Sequence, residues 1–241
     1  MSSANPRDRN RLLARLSPGD FARLEPHLVP VELKVRDPLE TADRTIKDAY
    51  FVLDGIVSLV AGGGLRAIEI GIIGREGMTG TSLVLGSTRA AHRAFVQVAG
   101  EAVRIKAGEL VAAMAETPTL RASLLHHVQE LLLQTGQTAF ANGLASTEQR
   151  LARWLLMCQD RLDRPGIPLT HEFLSVMLGV WRPKVTVALQ GLTEKNLITN
   201  GRSLVTVVDR KGLEALAGDA YRQLTKGGPK AAARAPGARQ A

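Results

Sequence analysis

The sequence predicts an α+β chain: an N-terminal antiparallel β jelly roll, a long helix, and a C-terminal winged helix-turn-helix. Three observations carry this expectation. Between about 31 and 110, short β-rich runs alternate with glycines and no long helical period intervenes. From Pro118 the apolar spacing turns helical and heptad-like. Over 169–191 two short helical patterns flank a glycine, and the second is basic.

Composition sets the class. With 45% of 241 residues apolar, the chain can bury a substantial core. No run approaches the ~18 uninterrupted apolar residues of a spanning helix, so no membrane partner is expected. The start, MSSANPRDRNRLL, lacks the apolar segment of a secretory signal, and a cytoplasmic location is expected. A single cysteine, Cys158, excludes an intramolecular disulfide framework and a thiolate metal cluster. Residues 1–167 carry a net charge of +2 and residues 168–241 a net of +6, which directs attention to a polyanion partner for the last third.

In chain order, Leu12, Leu13, Leu16, Phe21, Leu24 and Leu28 fall near helical spacing, and Pro18, Pro26 and Pro30 cut the segment into short helices. Strands are expected at Tyr50–Leu53 and Ile56–Val60, with Asp54-Gly55 read as a turn between them. Others are expected across 65–73, at Ala94–Val98 and at Ala102–Ile105. The long helix begins at Pro118, which suits a first-turn position. Its seam, Leu124, Val128, Leu131, Thr135, Thr138 and Asn142, is read as a dimer interface. Leu125, Leu132 and Leu133 put apolar surface on other faces. Burial of the helix within one monomer is the alternative. Ser146 and Gln149 form a capping box for the next helix, whose apolar stripe contains Trp154 and Cys158, so Cys158 reads as structural. The run 163–168 serves as a connector.

In 169–191, LTHEFLSVMLGVWRPKVTVALQG, Thr170 can cap the first helix, and Gly179 can take the positive φ of a tight inter-helix turn. Leu174, Leu178, Val180, Val185 and Ala188 point inward. Trp181, Arg182, Pro183, Lys184, Thr186, Val187 and Gln190 are left facing outward on the second helix. Arg182 suits a guanine edge and Gln190 adenine; Thr186 and Val187 offer methyls to thymine, and Lys184 suits a phosphate. Two β runs around Asn200-Gly201 make a hairpin wing with Arg202 at or near its tip, a phosphate contact. The expected organisation is 1–117 short helices and β-roll, 118–143 dimerisation helix, 144–224 winged helix-turn-helix, and 225–241 a disordered basic tail.

Together these parts resemble the Crp/Fnr family of bacterial transcription regulators, in LTHEFLSVMLGVWRPKVTVALQGLTEKNLI and in GIVSLV…EIGIIGREGMTGTSLVLG, over roughly residues 10–220. The resemblance implies a cyclic-nucleotide-binding-like β-roll, a dimerising helix and readers in two major grooves. By position it puts the base-reading places on Arg182, Pro183 and Val187. The best-studied members carry an acid where Pro183 stands and an arginine where Val187 stands, so a different half-site is implied. Their phosphate-binding cassette is also altered. Glu76 is the candidate for a ribose, with Arg89 or Arg93 for a phosphate, while Gly74, Gly77 and Gly80 can instead shape a turn. No cysteines are available for an iron–sulfur cluster, and His27, His92, His126 and His127 leave haem open.

The expected function is a homodimeric, sequence-specific regulator on inverted-repeat double-stranded DNA, gated by a cyclic nucleotide or other small effector, with RNA polymerase as a candidate partner. No cofactor, metal or catalytic residue is assigned. A constitutive regulator with a degenerate, ligand-free β-roll is an alternative, as is a nucleotide-binding protein whose winged helix binds another protein. A jelly-roll isomerase or oxygenase is excluded, because 31–110 holds only His92.

Overall fold

The structure, a computed structural model, describes residues 5–63, 67–169 and 171–221. Thr170, expected as a cap and a DNA contact, and the basic tail 225–241 lie outside the described residues.

Three short helices open the chain: α1 (Pro6–Arg9), α2 (Arg11–Arg15) and α3 (Pro18–Leu24). Asn10 caps α2 by accepting from Leu13 N–H at 2.9 Å, and its amide donates to the carbonyls of Val52 and Gly77 at 2.8 and 2.9 Å. One buried side chain therefore starts a helix and ties it to the sheet.

The sheet contains β1 (Val29–Leu33), β2 (Pro38–Glu40), β3 (Asp48–Ala61), β4 (Ile68–Ile73) and β5 (Arg93–Lys106). Its order is β1-β5-β3-β4, with β2 also on β5, and every pairing is antiparallel. The antiparallel β domain is as expected, but its strands are fewer and longer. Asp54-Gly55 is not a turn: β3 runs through it for 14 residues beside an equally long β5. The register shifts on either side of Asp54, which pairs with Glu101. Gly55 has φ +89°, and a Cβ there would stand 2.5 Å from the Val98 carbonyl; one on Gly100 would stand 2.2 Å from the Asp54 carbonyl. The two glycines let the backbones close on each other at a bulge, where both long strands bend. Two helices not expected from the sequence also lie in this region, α4 (Thr81–Val84) and α5 (Ala107–Glu116).

The long helix α6 (Pro118–Leu144) follows, with proline in its first turn. Its buried residues are Leu120, Leu124, His127, Gln134, Thr138 and Ala141, a face that takes in two residues of the expected seam, Leu124 and Thr138. Leu124 and Thr138 are buried within the chain, Val128 and Leu131 pack against the β-domain core, and Thr135 and Asn142 are half-buried. Gln134 explains the docking: β4 is an edge strand, and Gln134 accepts from Ile72 N–H at 2.7 Å and donates to Ile72 C=O at 3.1 Å. A side-chain amide thus covers the unpaired backbone of a sheet edge. His127 accepts from Met78 N–H at 3.2 Å and abuts Gly77, where a Cβ would meet the ring. Burial pushes its pKa down, which favours the neutral ring. The apolar residues left outside are Leu125, Leu132, Leu133, Phe140 and Leu144.

Helix α7 (Thr147–Gln159) starts at the anticipated capping box of Ser146 and Gln149. The remaining elements are β6 (Gly166–Pro168), α8 (His171–Leu178), α9 (Arg182–Glu194), β7 (Ile198–Gly201), β8 (Leu204–Val207) and α10 (Arg210–Ala217). One apolar cluster joins Ile56, Ile72 and Val98 of the sheet to Trp154, Leu155, Leu174, Met177, Val185 and Leu189 of the helices. Cys158 lies in that cluster, its thiol pushed well up by burial, as a structural residue. Among the described residues, no helix is long and apolar enough to cross a membrane.

Replacing Gln134 by Ala strands the outward N–H and C=O of Ile72. The expected cost is about 1–3 kcal/mol, measured as a lower urea midpoint, together with faster hydrogen exchange at the Ile72 amide.

Candidate nucleic-acid interface

The sequence of the turn dictates its geometry. At the end of α8, Gly179 sits at φ +58°, and Val180 N–H reaches back to Ser175 C=O at 3.0 Å. That is a left-handed helix cap, which turns the chain sharply into α9. A Cβ on Gly179 would also stand 3.0 Å from Ile68 of β4, so the turn is pressed against the sheet. Trp181 then serves as the N-cap of α9, its carbonyl accepting from Lys184 N–H at 2.9 Å. Pro183 occupies the first turn, where a missing N–H leaves nothing unpaired.

Val185, Ala188, Leu189 and Leu192 are buried beneath α9. On the opposite side Trp181 is 84% exposed and Val187 64%, and Arg182, Pro183, Lys184 and Gln190 are exposed as well. Thr186 is half-buried and its hydroxyl donates to Arg182 C=O at 3.3 Å, so that hydroxyl is engaged within the helix. Arg182 pairs with Glu172 of α8 at 3.4 Å, and both side chains are largely exposed. Such a surface pair is weak and readily exchanged for another acceptor. The two cations lie in the first turn of α9, where the helix dipole also favours an anion.

The wing is a three-stranded sheet of order β6-β8-β7. The segment read as a connector supplies β6, which pairs with β8. Gly201 pairs with Leu204, so the tip is Arg202-Ser203 and Asn200-Gly201 belong to the strand. Ser203 takes φ +60° and Arg202 is exposed at the tip. Arg210 locks the last helix to α7, donating to Gln159, Asp160 and Tyr221.

The three residues read as effector contacts are not brought together. Glu76 accepts from Arg161 Nε of the segment after α7 at 2.7 Å and from Gly74 N–H at 3.2 Å. It lies in the turn before Met78, which bridges Phe51 near the start of β3. Arg93 pairs with Val60 at the far end of β3. At about 3.3 Å per residue the path along the strand between these two points is on the order of 30 Å. Arg89 is exposed in a turn bridged to Thr45. Gly74 and Gly77 form a turn of their own, Gly77 N–H to Gly74 C=O at 3.1 Å. A cavity of about 300 Å3 opens instead between α2 and α6, lined by Leu12, Arg15, Ala122, Ser123 and His126.

Residues 149–216 match the Crp-like helix-turn-helix domain. Among solved structures, FixK2 from Bradyrhizobium japonicum superposes with a TM-score of 0.69 at 16% identity, covering 79% of this chain and 98% of its own. The c-di-GMP-responsive global regulator CLP of Xanthomonas campestris gives 0.63 at 17%, covering 79% and 99%. A CRP/FNR-family transcriptional regulator from Thermus thermophilus gives 0.62 at 21%, covering 78% and 98%. Among curated proteins none matches the sequence. The matched segment is thus a Crp-like helix-turn-helix domain, and the fold of the chain is like that of these solved structures. The likeness to these structures is one of fold: an antiparallel β domain, a long helix and a Crp-like helix-turn-helix.

Gly179→Val adds a branched side chain at positive φ beside Ile68. The left-handed conformation alone should cost roughly 1–2 kcal/mol. Thermal unfolding is expected to show the loss, and the displaced turn should weaken DNA retention in a gel shift.

Proposed function

We propose that the chain is a homodimeric regulator that reads an inverted-repeat DNA site in the cytoplasm, with α9 of each protomer in a major groove. The single observation that carries this reading is the outward side of α9: Trp181, Arg182, Pro183, Lys184, Val187 and Gln190 are exposed on a helix whose other side is buried. Half-sites about one turn, roughly 34 Å, apart suit two such readers. Arg182 reads a guanine edge, Lys184 and Arg202 hold phosphates, and Val187 and Gln190 face neighbouring bases.

In this reading the outer stripe of α6 is the dimer interface. Leu125, Leu132, Leu133, Phe140 and Leu144 recur along one side; Leu132 is 69% exposed and Leu144 77%. They extend over 19 residue steps, on the order of 28 Å of helix. An exposed apolar stripe of that length needs a cover, and a second α6 related by two-fold symmetry supplies one.

A β-roll that holds no nucleotide is favoured by a specific observation: Glu76 is committed to Arg161, and Arg89 and Arg93 lie in different places. Contacts with RNA polymerase belong to the same reading, as the step by which a bound regulator acts.

Selection from a random DNA pool tests the reading. A palindromic consensus supports it, and an asymmetric site bound by a monomer overturns it. Arg182→Ala should relax choice at one base pair by about 1–3 kcal/mol, while Lys184→Ala should weaken all sequences alike and flatten the salt dependence. Leu132→Asp should yield monomers by sedimentation, with helical content unchanged. Cyclic nucleotides should leave the melting temperature unmoved; an upward shift with one of them would reinstate an effector in the β-roll.

A further inference from the structure

We propose that Glu69, Ser58, Gln97 and Trp154 form a proton-binding site at the junction of sheet and reader, and that its proton controls how firmly α8 is seated on the sheet. The four side chains come from β4, β3, β5 and α7, and all are buried. Met177 of α8 closes the cluster, its Sδ 3.6 Å from Ser58 Oγ.

A count of protons defines the site. Ser58 Oγ lies 2.6 Å from Glu69 Oε2 and 2.5 Å from Gln97 Oε1. A hydroxyl carries one proton, so with Glu69 ionised one of these two short contacts has no hydrogen in it. A proton on Glu69 completes the chain: the acid donates to Ser58, and Ser58 donates to Gln97. Trp154 Nε1–H donates to the other oxygen of Glu69 at 2.8 Å in either state. Without that proton, the Gln97 amide must turn over so that its Nε2 donates to Ser58. That nitrogen is buried with no partner in the present orientation. Proton occupancy and amide orientation are therefore linked.

The surroundings favour the proton. Burial pushes Glu69 up to about 7, against the lowering effect of the Ser58 and Trp154 hydrogen bonds and of Arg153 and Arg161. The facing groups from α7 and the segment after it are Arg150, Arg153, Arg161 and the neutral thiol of Cys158. From α6 they are Gln134, Thr138 and Asn142. The strands contribute Ser58 and Gln97, and α8 contributes Met177 and Leu178. The cations have other partners. Arg153 is held by Thr138 Oγ1 at 2.9 Å, Arg161 by Glu76, and Arg150 by the Leu178 carbonyl. Beside the carboxyl is a cavity of about 20 Å3, room for one water.

The proton is read through α8. Phe173 stacks on Phe95 at 6.4 Å under the Arg36 guanidinium, and Gly179 abuts Ile68. A bare carboxylate behind this seat draws water into it. Because the seated form holds the proton more tightly than an opened one, seating is strongest below the ordinary carboxylate range. It weakens as pH rises through about 7.

The test uses Trp181→Phe without DNA, so that Trp154 alone emits and the outcome is independent of DNA reading. Emission should show one titration near neutral pH, and α8 protection against hydrogen exchange, corrected for intrinsic rates, should fall on the order of tenfold across it. Glu69→Gln, which donates to Ser58 and accepts from Trp154 like the protonated acid, should abolish both changes and keep α8 protected throughout. Ser58→Ala removes a donor to the ionised form and should move the midpoint to higher pH. Flat profiles for the parent, a Glu69→Gln profile like the parent's, or a midpoint unmoved in Ser58→Ala would each overturn the proposal. The last carries the test if Glu69→Gln does not fold.

Discussion

One apolar core, common to the sheet and to the helices that follow it, determines how the rest is arranged. Ile56, Ile72 and Val98 are strand residues, yet they pack with Trp154, Leu155, Leu174 and Met177 rather than in a core of the β domain alone. Burying such side chains is worth roughly 1.5–3 kcal/mol each. Separating reader from sheet therefore exposes apolar surface on both. The reader is consequently a seated body whose first helix, α8, faces the sheet while its second, α9, faces away. The outward side of α9 stays free because its neighbour is occupied.

Helix α6 works on both of its sides. Its inner seam holds Leu120, Leu124, His127, Gln134, Thr138 and Ala141 against the protomer, and its outer stripe remains uncovered. Gln134 matters most among the inner residues, because an edge strand left open would offer its backbone to other chains. Its amide satisfies Ile72 and sets the register of helix on strand at once. Thr138 accepts the buried Arg153, which extends the same registration to α7.

Charge is divided by burial. Arg182 and Lys184 lie at the surface, where a polyanion can replace water and weak partners. Arg153, Arg161 and Glu69 lie inside, where each needs a designated partner or changes its protonation. Burial lowers Arg153 to about 10, still charged at neutral pH, while Glu69 is poised near it. Of these three interior charges, it is Glu69 that burial brings nearest to neutral pH.

Local patterns were legible in the chain. The capping box at Ser146, Gly179 in its left-handed turn, Pro183 in a first turn and the outward residues of α9 follow from chemistry within a few residues of each position. Other features required the third dimension. Gly55 has the composition of a turn, and only the close approach of Gly100 on another strand makes it a bulge within a continuous strand. The members of the suggested effector set are near in sequence, yet Arg93 and Glu76 end up at opposite ends of β3. The sequence by itself determined most of the helix and strand segments, where the helix-turn-helix lies, and which side chains of α9 face outward. Each of these is decided by periodicity and by caps that act over a turn or two. Tertiary structure alone decided which apolar side of α6 is buried in the protomer, that β6 joins the wing, and that Glu69, Ser58, Gln97 and Trp154 meet. Periodicity reports that a face is apolar and carries no information on what covers it. A helix apolar on two sides therefore stays undetermined until the sheet presents the edge that one of them must close.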